Sequence, residues 1–86
     1  MVIVTWDHAK RLANFDKHGL DFADLDVDFF LNSLVVPAQK GRLKAVGLQG
    51  DERLIVVAFA PLGTEAVSII SMRPASTKER SLFDER

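Results

Sequence analysis

The side chains in this chain whose chemistry can go beyond packing are a set of lysines and arginines and one histidine. Lys44, Arg53 and Arg73 fall in three successive β-prone runs. If two of those strand faces agree in register, the three cations converge on one anion, and a phosphodiester is the anion that most needs them. An RNA 2′-hydroxyl can attack its own phosphate, and cations then stabilise the charge building on the phosphorane oxygens. A proton acceptor and a proton donor complete such a reaction, and it requires no cofactor. His18 is a candidate for proton transfer, although it needs a partner that its local sequence does not place. The competing reading is that these cations keep strand edges soluble and unpaired. No Walker sequence, G-x-G-x-x-G or G-x-S-x-G occurs to suggest a different chemistry.

Residues 66 to 80 are the stretch that must position most of this set. Alternation along the strand puts Val67, Ile69, Ser71 and Arg73 on one face and Ser68, Ile70 and Met72 on the other. Pro74 cannot donate to a ladder, so the strand is expected to stop there. Ser76 with Glu79 three residues on is a capping-box pattern that starts a short helix carrying Lys78 and Arg80. Three cations, Arg73, Lys78 and Arg80, thus surround one strand end and one helix start.

At 86 residues and 48% hydrophobic composition the chain can form one packed core, and residues 1–86 are expected to be a single domain. Without cysteine there is no disulfide framework and no thiolate metal site, and His8 and His18 do not form a metal-binding cluster. No apolar run approaches a membrane span and the N-terminus lacks a signal-peptide layout, so the expected location is cytoplasmic. The net charge of −1 argues against a generally adhesive nucleic-acid binder. Its distribution is uneven: residues 1–36 carry six acids against Lys10, Arg11 and Lys17, and residues 37–86 carry eight bases against six acids. One acidic and one basic face are therefore permitted.

Val2 to Thr5 reads as a short strand. Asp7 caps a helix whose Ala9, Leu12, Ala13 and Phe15 make an apolar stripe, and Lys17-His18-Gly19 closes it. Asp21 caps a second helix, with Phe22, Leu25, Phe29 and Phe30 facing the core and Asp24, Asp26 and Asp28 facing out. Leu34-Val35-Val36 is stopped by Pro37. Strands follow over Arg42 to Leu48 and Leu54 to Ala60, with a turn over Gln49 to Glu52. The expected fold class is α+β: an antiparallel sheet of three to four strands, two N-terminal helices and one short C-terminal helix. Trp6, Leu12, Phe22, Leu25, Phe29, Val56 and Ile70 are the expected core.

Trp6-Asp7, Lys10, Asn14 and Lys17-His18-Gly19-Leu20-Asp21-Phe22 resemble the start of the BrnT toxins of bacterial type II toxin–antitoxin pairs. Gly41 to Gly47, Val56-Val57 and Ile69 to Ala75 with Glu79-Arg80 are similar to the remainder, in the same order over nearly the full chain. The resemblance implies a compact RelE-like fold and a ribonuclease that arrests translation. It also implies a BrnA-like antitoxin that binds DNA, masks the toxin and brings it to the operator. The family's basic residues correspond here to Lys44, Arg53, Arg73 and Arg80. With His18 these are the expected catalytic residues, and Arg42, Lys78 and Lys17 are expected to steer RNA, with no metal. His18 and Lys44 are the alternatives for the general base. Phe59 and Phe83 stand where many members have Tyr, and Leu62 and Ser68 where many have Arg. That difference leaves room for a rival expectation: a toxin-fold module that binds its antitoxin with little or no nuclease activity.

Overall fold

A computed structural model describes residues 3–50 and 53–86. The expected strand start at Val2 and the turn residues Asp51 and Glu52 lie outside the described residues. The elements are β1 (Ile3–Trp6), α1 (His8–His18), a 3₁₀ turn (Phe22–Asp24) and α2 (Val27–Leu31). They continue with β2 (Leu34–Pro37), a 3₁₀ turn (Gln39–Gly41), β3 (Leu43–Gln49), β4 (Arg53–Leu62), β5 (Ala66–Pro74) and α3 (Thr77–Asp84). No helix among the described residues is long and apolar enough to cross a membrane.

The sheet has five strands in the order β1-β5-β4-β3-β2. Strands β2 to β5 form the expected antiparallel meander, whereas β1 adds a fifth strand parallel to β5. The fold is therefore α+β with a mixed sheet rather than one of three to four antiparallel strands. The correction has a physical source: Ile3 pairs with Ala66, and a partner that far along the chain leaves no mark on local periodicity.

A bulge in β5 overturns the expected alternation. Phe59 faces Ile69 and Ala58 faces Ser71, so Ile70 is the extra residue. Ile69 and Met72 consequently share one core with Phe22, Phe29, Ile55 and Val57. Arg73, paired with Val56, lies on the opposite side, where Val46, Leu54, Val56 and Phe83 form the second cluster. Pro74 is, as expected, the last residue of β5. It sits opposite Ile55, and the Ala75 N–H donates to the Leu54 carbonyl at 3.0 Å.

Two helix expectations also need correction. The second helix is broken: the Asp21 carboxylate accepts from Ala23 N–H at 3.0 Å and from Arg11 at 2.7 and 3.0 Å. Leu25 and Asp26 are extended, and Asp26 starts α2 afresh by accepting from Phe29 N–H at 2.9 Å. Aspartates favour capping over continuing a helix, and four of the eight residues from Asp21 to Asp28 are aspartates. Phe22, Leu25 and Phe29 are nonetheless buried as expected, Val56 is too, and Trp6 and Ile70 are half-buried. Leu12 is not: it is 56% exposed and Phe15 53%. α1 instead turns Arg11, Asn14 and His18 towards the body of the protein, with Asn14 buried.

Candidate active site

The segment from Arg73 to Arg80 joins β5 to α3 and divides the cations into two clusters. On the side of Val46 and Val56, the Arg73 guanidinium grips Glu79 with both ends, Nη1 and Nη2 each 2.7 Å from a carboxylate oxygen. Lys44 Nζ lies 3.6 Å from the same carboxylate. Glu79 is buried and also completes the capping box, accepting from Ser76 N–H at 2.9 Å while Ser76 Oγ accepts from Glu79 N–H at 3.2 Å. The Arg73 hydrogen bonds, more than any other influence, hold the Glu79 carboxyl at about 2. The same bonds raise the Arg73 pKa above its ordinary value.

The second cluster is a groove of about 450 Å3 where the C-terminal end of α1, the start of β4 and the start of α3 meet. His18, Arg53 and Arg80 line it over a floor of Leu54, Pro74 and Ala75. His18 arrives there because Gly19 takes a left-handed backbone, φ 69°, and stops α1 immediately after it. Arg80 arrives because the capping box sets the first turn of α3. Among the described residues no carboxylate lines this groove, whereas Lys44 and Arg73 are opposed by Glu79.

The expected convergence of Lys44, Arg53 and Arg73 is thus split. Lys44 and Arg73 meet on Glu79; Arg53, on the strand parity of Ile55 and Val57, belongs with His18 and Arg80. Arg42 and Lys44 share a shallow groove with Pro37, Gln39 and Ala58. Lys17 lies with Lys10, Asn14 and His18 in a third groove between α1 and β5. Lys78 is exposed on the first turn of α3. Sequence reading took Glu79 for a helix cap only; its role as the partner of two strand cations depends on the bulge that turns Arg73 towards α3. Asn14 gave no core signal because its value lies in hydrogen bonds that cross the fold.

Phe59 is buried against Phe30, and Phe83 packs in the apolar cluster of Val46, Leu54 and Val56 with the Arg86 guanidinium 3.8 Å from its ring centroid. Leu62 and Ser68 sit towards the β4–β5 turn, the opposite end of the sheet from Pro74. None of these four residues lines the His18 groove.

No curated protein matches the chain. The model of the family described as the ribonuclease toxin BrnT of type II toxin–antitoxin systems matches residues 6–79. Among solved structures, the chain is similar to the Brucella abortus ribonuclease toxin BrnT, known from a crystal structure at 1.1 Å. The two share 48% sequence identity and superpose with a TM-score of 0.84, over 90% of this chain and 100% of that one. The matched region runs from Trp6 to Glu79 and so includes α1, all of β2 to β5 and the carboxylate that anchors α3. With the family model and the three-dimensional likeness in agreement over that span, the chain belongs to the BrnT family of ribonuclease toxins of type II toxin–antitoxin systems.

Proposed function

We propose that this protein is an endoribonuclease that cuts RNA without a metal ion in the His18–Arg53–Arg80 groove. The observation that carries the reading is that one proton-transferring side chain, His18, and two guanidiniums, Arg53 and Arg80, line one groove. In the reaction, the RNA 2′-oxygen forms a bond to phosphorus and the bond from phosphorus to the 5′-oxygen breaks. His18 takes the 2′-hydroxyl proton, and the imidazolium so formed returns it to the departing 5′-oxygen. Arg53 and Arg80 stabilise the phosphorane, a task that suits a planar fork of fixed donors. Lys44 and Arg73 hold α3 in place through Glu79, and Arg42, Lys17 and Lys78 steer the RNA backbone.

Cleavage of this kind in the cytoplasm would arrest translation. A toxin of a type II system has an antitoxin protein as partner. We take that partner to be BrnA-like, to carry the operator-DNA contact, and to cover the groove with acidic or apolar groups. The test is purified protein and RNA in the presence of a chelator. Products should carry 2′,3′-cyclic phosphate and 5′-hydroxyl ends, and a strand made of 2′-deoxynucleotides should resist. Cutting that requires added magnesium, or that proceeds on the deoxy strand, would reject the mechanism.

A further inference from the structure

β5 outruns its parallel neighbour. Among the described residues β1 pairs with it only from Ala66 to Ile69, and no strand covers the edge at Met72. Its N–H is nevertheless satisfied, because Asn14 Oδ1 accepts from it at 3.0 Å. The other end of the same amide, Asn14 Nδ2, donates to the Leu20 carbonyl at 3.2 Å. One buried side chain therefore ties together the body of α1, the turn that leaves it and the edge of β5. Few residues can do this. Asparagine carries a donor and an acceptor in one plane, aspartate lacks the donor, and an apolar residue would strand both backbone groups.

His18 lies one helical turn beyond Asn14 on the same side of α1. Both residues line the groove between α1 and β5, and His18 also lines the groove of Arg53 and Arg80. Backbone bonds along α1 fix His18 relative to Asn14, and the Asn14 amide fixes that pair relative to β5. The end of β5, Pro74 and Ala75, is the floor over which the imidazole must stand. From this geometry we infer that Asn14 is a positioning residue for His18, setting the height and roll of the last turn of α1 above the groove. The inference rests on the proposed role of that groove. The Arg11–Asp21 pair, 2.7 Å, still ties α1 to the following turn when Asn14 is lost, so the expected result is a displaced imidazole and not a released helix. A displacement of about 1 Å at a reacting group can cost roughly 100-fold in rate.

Single-turnover cleavage of a mixed-sequence single-stranded RNA, with thermal unfolding of each protein, tests this. The proteins are wild type, Asn14→Ala, Asn14→Asp, His18→Ala and the double variant Asn14→Ala/His18→Ala. Asn14→Asp keeps the acceptor for Met72 N–H and so supplies a folded variant if Asn14→Ala melts too low. Either Asn14 variant should lower the maximal rate by roughly 10–100-fold, with the RNA concentration for half-maximal rate changed by less than about twofold. In the His18→Ala background the Asn14 substitution should cost no further rate, the signature of a residue acting through another. Folded Asn14 variants with wild-type rates would overturn the inference. So would an equal fractional loss with and without His18, which returns Asn14 to a purely structural role. A wild-type rate for His18→Ala alone would instead remove the catalytic reading of the groove, and the inference with it.

Discussion

Glu79 shows how much one carboxylate decides in a small protein. It opposes two strand cations and caps the helix on which it stands, so the β5–α3 junction hangs on a single buried side chain. Its carboxyl sits at about 2 against an ordinary 4.5, and Asp21, bonded to Arg11, sits at about 2 against 3.8. Both pKa values are depressed on folding. Their contribution to stability is therefore complete above the ordinary carboxylate range and is lost as pH falls through it towards 2. The melting temperature of the wild type should drop across that window. Glu79→Gln should melt lower near neutral pH, having lost charged hydrogen bonds of roughly 2 kcal/mol, and should show a shallower acid decline. Identical acid slopes for the two proteins would remove Glu79 from this role. At this scale the sequence was partly legible. The capping box declared itself by spacing, and the cations by type. Which cation meets which anion depended on the bulge at Ile70, and an extra residue in a ladder has no signal in a run of apolar side chains.

Among the elements, the strand meander and the apolar row of Phe22, Leu25 and Phe29 were legible because burial on one side imposes a periodic pattern. α1 was not. Its outward Leu12 and Phe15 and inward Asn14 reverse the amphipathic rule, since the uncovered edge of β5 demands a polar partner more than the core demands another leucine. The contact between α2 and β3 makes a sharper test of how tightly the first core is packed. A Cβ at Gly47 would lie 3.1 Å from Phe29 Cε1 and 3.1 Å from Ser33 Cβ. Gly47→Ala should thus push the Phe29 ring aside and destabilise the fold by about 1–3 kcal/mol, read from denaturant unfolding. No loss of stability would mean that α2 is seated more loosely on the sheet than this structure has it.

Across the whole molecule, a five-stranded sheet with helices on both sides brings the end of α1, the start of β4 and the start of α3 to one place. These pieces lie far apart in the chain, which is why the sequence suggested a cationic floor but not its division. Under the proposed function the division assigns separate duties: Arg53 and Arg80 would face RNA, and Arg73 would hold the scaffold through Glu79. The most direct measurement is RNA cleavage in chelator by Arg53→Ala, Arg80→Ala and Arg73→Ala beside wild type, each with its melting temperature. Arg53→Ala and Arg80→Ala should lose roughly 100-fold or more in rate and melt within a few degrees of wild type. Arg73→Ala should melt well below wild type and, at a temperature where it remains folded, keep most of its rate. Wild-type cleavage by Arg53→Ala and Arg80→Ala, with activity lost only in a fully folded Arg73→Ala, would contradict the account.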